Sequence, residues 1–504
     1  MSQTLQSLVE QHDTSAYCVG APDRAWLTYG HLAHQSTQVA NDLHAFGIAL
    51  SDRVAVVLPN GPDMAVAYFT IAQAACVAPL NPGYRLDEYV FYLDDLGAKA
   101  VVIDEAYDGP ALSAAKKLGL SIITVHSKAE AGAFELKCTD STPLMAPSGE
   151  PTPDDVALIL HTSGTTSRPK IVPLTQGNLA ASASNIATSL GLTRDDRCLN
   201  VMPLFHIHGL VAAISATFQA GACVWCAPGF DALKFFGWMQ TVRPTWYTAV
   251  PTMHQAILAR APRNKEIVET TPLRFLRSSS ASLPAQVMKS LQASFGVPVV
   301  EAYGMTEAAH QMCCNPMETR KFGSVGVASG PDVAIAHETQ SVLTSGVGEV
   351  VISGENVTPG YENNVEANQK SFFEIDGKRW FRTGDQGTFD DDGFLFLTGR
   401  LKEIINRGGE KISPLEVDDV LMDHPSVAQV VTFSIPHDKL GEDVGAAIVL
   451  KEGQLVEVKE IKAFAADKLA AFKVPKTIVI LDEIPKGATG KMQRIGMAEK
   501  LGLL

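Results

Sequence analysis

Thr162-Ser163-Gly164-Thr165-Thr166-Ser167-Arg168-Pro169-Lys170 is the stretch that best indicates the fold and chemistry of this chain. It follows the apolar run Val156–Leu160, which predicts a buried strand. Small hydroxyl residues around a glycine offer backbone N–H groups and hydroxyls to phosphate oxygens, and Lys170 adds a positive charge. The stretch therefore predicts a phosphate-binding loop at the end of a strand.

This loop is not a Walker A motif. In that motif a second glycine would stand where Pro169 is found, and a serine or threonine would replace Ile171 after the lysine. The alternative interpretation is a surface turn rich in serine and threonine. The Pro-Lys ending favours the phosphate loop.

The segments around the loop predict an α/β protein. Apolar runs of about four to eight residues alternate with helix-length segments, which favours largely parallel sheets. Thr175 is the predicted N-cap of the helix that follows the loop. The other predicted strands are Arg53–Leu58, Ala100–Asp104, Ser121–Val125, Leu199–Leu204, Ala222–Ala227, Trp246–Val250 and Val297–Ala302.

The pattern changes after about residue 345. Strands with short connections are predicted here, and Asp391-Asp392-Gly393 predicts a hairpin turn. These strands are Gly348–Gly354, Arg379–Thr383, Phe394–Thr398, Ala428–Phe433 and Gly445–Leu450. We expect a large N-terminal domain, residues 1–400, with mostly parallel α/β sheets and a β-rich subdomain. A small mobile α+β domain is expected over residues 401–504.

Composition excludes several classes of protein. The chain has 504 residues, of which 46% are hydrophobic, so a large core is expected and disorder is not. The formal net charge of -14 argues against nucleic acid or an anionic membrane as a partner held by overall charge. Small anionic ligands remain possible, because one pocket can be positive on an acidic protein.

The cysteines and the chain ends indicate a cytoplasmic protein. A chain of this size needs no disulfide framework, and Cys223-x-x-Cys226 lies in an apolar run that favours a buried strand over metal or redox chemistry. The N-terminus lacks the features of a signal peptide. No run approaches ~18 apolar residues, so no membrane insertion is expected. The oligomeric state is not determined by the sequence, and a homodimer is left open.

Five motifs carry a family resemblance. The phosphate loop resembles that of the acyl-adenylate-forming superfamily, which includes acyl-CoA synthetases, luciferases and peptide-synthetase adenylation domains. Further signatures of that family are matched, in order, by Tyr303-Gly304-Met305-Thr306-Glu307, Thr383-Gly384-Asp385, Gly399-Arg400 and Pro485-Lys486-Gly487-Ala488-Thr489-Gly490-Lys491. The resemblance covers nearly the whole chain. It implies an enzyme that uses ATP and Mg²⁺ to adenylate a carboxylic acid, transfers the acyl group to coenzyme A and releases AMP.

The resemblance also implies a nucleotide site. Lys170 and Thr306 contact phosphates, and Glu307 holds Mg²⁺, a hard cation that prefers oxygen ligands. Asp385 accepts hydrogen bonds from the ribose hydroxyls, and Arg400 reaches ribose or phosphate. The remaining nucleotide contacts implied are Thr162, Ser163, Gly164, Thr165 and Thr166 on the phosphates, with Ser280, Ala281 and Ser282 on one side of the adenine and Tyr303 and Gly304 on the other.

The implied roles in the C-terminal part concern catalysis and domain motion. Lys491 bridges the carboxylate and the α-phosphate during adenylation. Lys402 is the hinge about which the small domain rotates between the two half-reactions. Gly408 and Gly409, in the run Arg407–Glu410, let the backbone approach the pantetheine arm of coenzyme A. Lys473 either meets a coenzyme A phosphate or is a solvated cation.

The residues expected around the acyl group are polar. His206, His208, Ser280 and His310 stand where a fatty acid would need an apolar wall, and a buried polar group without a partner costs roughly 1–3 kcal/mol. The segments that carry them are similar to those of oxalate–CoA ligases, in which Ser280 and His310 occupy diacid-binding positions. For His206 and His208 a structural or gating role is the alternative. Ile171, where that family usually has glycine, and the C-terminal LGLL, which is not a peroxisomal signal, depart from the pattern.

Other functions remain open at this point. The first alternative is a ligase for a fatty acid or an aryl acid of the 4-coumarate type. An amino-acid adenylation domain is disfavoured, because His206 stands where such domains usually have aspartate. A luciferase-type oxygenase would need a bulky aromatic pocket. A non-catalytic nucleotide-binding module would not need Lys491.

Overall fold

The computed structural model describes residues 3–139, 149–162, 169–337, 340, 342–485 and 492–503. A seven-stranded sheet carries the predicted phosphate loop between its last two strands. The order is Phe134–Cys138, Ser121–Ser127, Ala100–Asp104, Arg53–Val57, Cys76–Pro79, Val156–Thr162 and Lys170–Thr175. Its inner pairs are parallel, whereas Val156–Thr162 and Lys170–Thr175 form an antiparallel pair.

A nine-stranded sheet supports most of the candidate site. Its order is Val327–Ala328, His310–Cys314, Val299–Met305, Phe275–Ser278, Trp246–Ala249, Arg197–Asn200, Cys223–Cys226, Tyr17–Ala21 and Arg24–Thr28. The strands from Val299–Met305 to Tyr17–Ala21 are parallel, so their carboxyl ends meet at one edge. Ligands of open α/β sheets bind outside this edge.

Two smaller sheets follow along the chain. An antiparallel sheet consists of Leu343–Thr344, Asp332–Ala336, Gly348–Ser353, Lys378–Phe389 and Phe372–Ile375, and Leu395–Arg400 pairs with Lys378–Phe389. The last sheet consists of Glu410–Ile412, Ile405–Arg407, Gly441–Leu450 and Val427–His437, and Thr477–Ile480 runs parallel to Gly441–Leu450. The two sheets meet near residue 400, where the hydroxyl of Ser413 donates to the carbonyl of Thr398.

The helices cover the sheets and separate the two large ones. Helices Pro62–Ile71 and Gln176–Ser189 are largely buried, and one apolar cluster joins them to strands of both large sheets. The other α-helices are Tyr29–Ala45, Leu86–Leu96, Pro110–Leu118, Ala216–Gln219, Phe235–Val242, Pro251–Leu258, Lys265–Thr270, Ala285–Phe295, Val365–Ser371, Pro414–Met422, Val458–Ala466 and Met497–Lys500. Short 3₁₀ helices span Gln6–Leu8, Ala261–Asn264 and Thr306–Ala308, and a π-helix spans His208–Ser215.

The α/β prediction is confirmed. The Thr175 side chain accepts a hydrogen bond from the Asn178 N–H at the start of helix Gln176–Ser189, as expected of an N-cap. The strand predicted over Leu199–Leu204 ends at Asn200, because the Asn200 side chain accepts from the Met202 N–H and Pro203 has no N–H to donate. Cys223–Cys226 forms a strand, as predicted. In the described part of the chain, no helix has the length and apolar character of a membrane span.

The division at residue 400 stays a prediction. All strands of the last sheet follow that residue, and its helix Pro414–Met422 packs on the large part. Leu283 and Leu291 share an apolar cluster with Val417 and Leu421.

Glu301 gives the fold a predicted pH dependence. Burial raises its pKa to about 8, the Leu283 N–H donates to it at 2.8 Å, and Asp419 adds repulsion. Since the folded-state pKa lies above that of an unfolded glutamate, the stability from this group is complete below the unfolded pKa and is lost as pH rises to about 8. Between pH ~6 and ~8 the stability of Glu301→Gln relative to wild type should therefore rise by roughly 1.4 kcal/mol per pH unit. Denaturant unfolding at several pH values measures this, and a constant difference would show that the folded protein does not hold Glu301 protonated in this range.

Candidate active site

The predicted nucleotide residues lie around Glu307. This residue is 6% exposed, in the short 3₁₀ turn Thr306–Ala308 that follows strand Val299–Met305. The Tyr361 hydroxyl donates to Glu307 Oε1 at 2.8 Å, and Lys170 Nζ lies 4.0 Å from the centre of the Tyr361 ring. The structure thus brings the phosphate-loop lysine and the predicted metal carboxylate together through a tyrosine that the sequence did not single out.

Burial shifts both charged groups toward their neutral forms. It raises the pKa of Glu307, against the hydrogen bond from Tyr361 and the nearby charges of Lys170 and Arg400. It lowers the pKa of Lys170, against the charge of Glu307, while Lys402 lowers it further. The hinge candidate Lys402 therefore lies close enough to act on the phosphate-loop lysine.

Glu307 fits a magnesium ion that is shared with a nucleotide. Among the described residues no group of three or more histidine, cysteine or acidic side chains is arranged to hold a metal alone. Mg²⁺ typically binds through one or two carboxylates and substrate phosphates. A single buried carboxylate beside Lys170 matches that arrangement.

Asp385, Arg400 and Tyr303 form the candidate ribose site. Asp385 and Arg400 face each other on paired strands, with Arg400 Nε 3.3 Å from Asp385 Oδ1. The Tyr303 hydroxyl donates to Asp385 Oδ2 at 2.5 Å. The structure brings together Asp385 and Arg400, the pair predicted at the ribose, whereas the contact of Tyr303, predicted at the adenine, with Asp385 was not predicted. The Asp385 carboxylate is thus held from two sides.

Three of the polar residues predicted around the acyl group, His208, Ser280 and His310, lie in one cluster. His208 Nδ1 lies 2.9 Å from Ser280 Oγ, and His208 Nε2 lies 2.6 Å from Thr248 Oγ1. The rings of His208 and His310 are 4.9 Å apart between centroids. Both histidines are fully buried or nearly so.

Arg277 is the residue that sequence reasoning missed. It lies on strand Phe275–Ser278, is 0% exposed, and its NH1 approaches His208 Nε2 at 3.3 Å and His310 Nε2 at 3.4 Å. Arginine only donates, so in a hydrogen bond with Arg277 each Nε2 accepts, and His208 Nε2 also lies 2.6 Å from Thr248 Oγ1. The only sequence signal was one arginine inside the apolar run FLRS.

The charge of Arg277 has no anionic partner among the described residues. Its NH2 donates to Gln311 Oε1 at 3.2 Å, and its Nε has no described hydrogen-bond acceptor. Burial lowers its pKa to about 10, so the guanidinium remains charged at neutral pH. A buried, unneutralised cation is costly, and an anionic ligand would relieve that cost.

The backbone around this cluster is strained. Ser280, Ala309 and His310 have φ values of 73°, 45° and 105°, in the region that favours glycine. A π-helix begins at His208, and such helices are rare and frequently occur at functional sites. Strain of this kind typically marks a site whose geometry is held for function.

The remaining predicted residues differ in their surroundings. His206 Nδ1 accepts from the His208 N–H at 3.3 Å, which leaves both a structural and a gating role open. Lys473 Nζ forms an ion pair with Glu416 at 2.6 Å, and both of its predicted roles stay predictions. Gly408 and Gly409, with φ values of 61° and 98°, make the turn between Ile405–Arg407 and Glu410–Ile412. Ser163, Gly164, Thr165, Thr166 and Lys491 lie outside the described residues.

Comparison with known proteins gives consistent matches. Residues 6–362 match the family model of the AMP-binding enzyme, and residues 416–491 match that of the AMP-binding enzyme C-terminal domain. An oxalate–CoA ligase of Arabidopsis thaliana is 47% identical over 89% of this chain and 88% of its own, and one of Saccharomyces cerevisiae is 40% identical over 93% and 90%. The crystal structure of ATP-bound MatB from Rhodopseudomonas palustris superposes with a TM-score of 0.89, at 28% identity over 99% of both chains. These matches confirm the resemblance drawn from the five motifs.

Gly304 generates a prediction about the geometry of the site. A Cβ at this position would lie 1.8 Å from the carbonyl oxygen of His310, so the strands can approach only with glycine here. Gly304→Ala should lower the free energy of unfolding by about 1–3 kcal/mol or more, as overpacking does. Gly237→Ala, on helix Phe235–Val242 with nothing within 4 Å of the new Cβ, is the matched control in denaturant unfolding. Equal stability of the two variants would show that the approach is not tight.

Proposed function

Because the chain belongs to the family of AMP-binding enzymes, we propose that its active site is the cleft around Glu307 and Arg277, and that the acid it activates is oxalate. The chain is an AMP-forming acid–CoA ligase. It makes an acyl-adenylate from ATP and a carboxylate and then a thioester with coenzyme A. The identity of the acid and the roles of individual residues form the proposal.

The buried charge of Arg277 is the observation that best supports oxalate as the substrate. Adenylation consumes one carboxylate of a diacid, and the second remains charged beside the reacting carbon. A buried guanidinium flanked by His208, His310 and Ser280 can neutralise that second carboxylate. An alkyl chain or an aryl ring in the same place would leave the charge of Arg277 buried and unpaired.

In the first half-reaction, a carboxylate oxygen attacks the α-phosphorus and pyrophosphate leaves. Lys170 with the phosphate loop Thr162–Lys170 binds the phosphates, and Thr306 contacts the α-phosphate. Glu307 would hold Mg²⁺, which neutralises phosphate charge when bound. Asp385 orients the ribose. Tyr303 and Gly304 lie on one side of the adenine, with Ser280-Ala281-Ser282 on the other.

Lys491 and the small domain complete the proposal. Lys491 bridges the carboxylate and the α-phosphate in adenylation, and residues 401–504 then turn about Lys402 to present Gly408 and Gly409 to coenzyme A. Arg494, three residues after Lys491, is tied to Asp418 at 2.5 Å and to Glu403 at 3.4 Å. These ion pairs support the idea that the segment after the catalytic loop moves as one body with residues next to the hinge.

The proposal also covers Lys473, the large domain, the location and the oligomeric state. Lys473 reaches a coenzyme A phosphate only if its ion pair with Glu416 opens. Residues 1–400 form the large N-terminal domain, which binds the nucleotide. A cytoplasmic location and a homodimer stay predictions.

A panel of acids tests the substrate. AMP release would be measured with ATP, Mg²⁺, coenzyme A and each of oxalate, malonate, acetate, coumarate, octanoate and decanoate. We expect the highest kcat/KM with oxalate, because it supplies an anion to Arg277 within the shortest diacid. Turnover of octanoate or coumarate without turnover of oxalate would replace the proposal with a fatty-acid or aryl-acid ligase.

Replacing Arg277 tests its role directly. Losing one member of a buried charge pair costs roughly 2–5 kcal/mol, so Arg277→Gln should lower kcat/KM for oxalate at least ~30-fold. ATP binding, measured by calorimetry, should change little. Arg274→Gln is the matched control, because Arg274 lies just before the same strand but is 43% exposed and pairs with Asp196, outside the proposed acyl site. Similar oxalate kinetics in both variants would contradict an oxalate contact by Arg277.

A further inference from the structure

Tyr361 contacts both charged groups on which nucleotide binding depends. Its hydroxyl donates to Glu307 Oε1 at 2.8 Å, while its ring lies 4.0 Å from Lys170 Nζ. Lys170 and Glu307, both described, are close enough to affect each other's charge but form no salt bridge. We propose that Tyr361 is a positioning residue that keeps Lys170 and Glu307 from pairing with each other, so that both stay available to ATP and its divalent cation.

The tyrosine is held rigidly by its own segment. Its N–H donates to Asn368 Oδ1 at 2.7 Å, and its carbonyl accepts from Asn368 Nδ2 at 2.7 Å, so helix Val365–Ser371 fixes the backbone on both sides of the ring. The ring also packs edge-on against Phe381 at 6.3 Å and is 6% exposed. A ring held in this way can act as a spacer, because it cannot swing aside when the two charges attract each other.

The same short segment is bonded to both elements that carry the charges. The Glu362 N–H donates to the carbonyl of Ile171 at 3.1 Å, next to Lys170. The Thr358 N–H donates to the carbonyl of Glu307 at 2.7 Å, and its hydroxyl donates to the carbonyl of Pro173 at 2.6 Å. The distance between the lysine strand and the glutamate turn is therefore set by residues 358–362, with Tyr361 between the side chains.

The physical reason for such a spacer is competition. An ammonium group and a carboxylate attract strongly where water is excluded, and a nucleotide would have to break that pair before it could bind. Tyr361 replaces one strong contact by two weaker ones, a hydrogen bond to the carboxylate and the negative face of a ring under the ammonium. Lys170 can then contact a phosphate, and Glu307 a cation, without first breaking a strong ion pair. A larger fraction of the enzyme is therefore ready to bind the nucleotide.

Two substitutions separate the contributions of the hydroxyl and the ring. Tyr361→Phe keeps the ring but frees Glu307, and Tyr361→Leu removes both contacts. A hydrogen bond to a charged group supports an effect of about 10-fold or more, so KM for MgATP should rise by that factor in Tyr361→Phe and further in Tyr361→Leu, with kcat changing less. Tyr89→Phe is the matched control, because it removes another largely buried phenol hydroxyl, which donates to the Asn81 carbonyl at 2.8 Å away from the cleft.

A binding measurement without turnover gives the second readout. Affinity for β,γ-methylene-ATP would be measured by calorimetry without metal, and Mn²⁺ binding to that complex by electron paramagnetic resonance. Both should weaken in Tyr361→Phe. In a Glu307→Gln background, where no carboxylate can attract Lys170, Tyr361→Phe should no longer weaken metal-free nucleotide binding.

The outcomes are distinct from those of the acid panel. The inference rests on the proposed nucleotide site at Glu307 and not on oxalate, since no acid is present in the binding measurements. Unchanged Mn²⁺ binding in Glu307→Gln would refute the metal assignment alone. If Tyr361→Phe leaves KM for MgATP and analogue affinity at the wild-type values, or weakens the analogue equally with and without Glu307, the spacer role is refuted and the residue is merely structural.

Discussion

Mutual repulsion of anions is the constraint on which the site depends. A carboxylate must approach a triphosphate, and a chain with a net charge of -14 offers no general attraction to either. The positive charges proposed to permit the approach are local and shielded: Lys170 is half-buried against Tyr361, and Arg277 is fully buried. Shielding strengthens their action on the substrates, because a charge in a low-dielectric cleft is screened less than one in water. Burial also imposes a desolvation cost on each cation. For Arg277, hydrogen bonds to the neutral side chains of Gln311 and Thr248 offset part of that cost.

The sheet converts distant residues into one site. Parallel strands deliver the segment after Ser278 and the segment after Met305 to the same edge, and the antiparallel strand His310–Cys314 turns back so that the His310 ring lies beside the ring of His208. The return is tight: Met305 pairs with His310, and only glycine at position 304 leaves room for the His310 carbonyl. The left-handed φ values at Ala309 and His310 are the strain of that turn. His310, the histidine proposed to face the acyl group, is thus placed by the strand register and is not a residue of a free loop.

The sequence predicted those parts of the site that lie within short motifs of the family. The pairing of Asp385 with Arg400 and the nearness of Lys170 to Glu307 follow from short motifs whose roles the family resemblance implied. Arg277 and Tyr361 were not predicted, because neither lies in one of those motifs. Their contacts, Arg277 with His310 and Tyr361 with Glu307, are 33 and 54 positions apart and appear only in the folded chain. A single arginine in an apolar strand looks like a packing residue until its neighbours in space are known. The strand predicted to Leu204 failed for a local reason, since Asn200 caps its own turn and Pro203 cannot donate.

The selectivity proposed for the acyl site has a simple physical basis. Leaving a buried polar group unpaired costs more free energy than a polar contact normally contributes. A small cavity alone would discriminate weakly, because acetate is no larger than oxalate and each lost apolar contact is worth little. A buried guanidinium changes this, since any acid without a second anion leaves Arg277 desolvated and unpaired, and sites built around a polar partner reject analogues that lack it far more strongly. The histidines reinforce the effect without competing for the substrate, because their Nε2 atoms accept from Arg277 and so leave its charge unneutralised. In this proposal His208 and His310 orient the Arg277 guanidinium, and the second carboxylate of the substrate neutralises its charge.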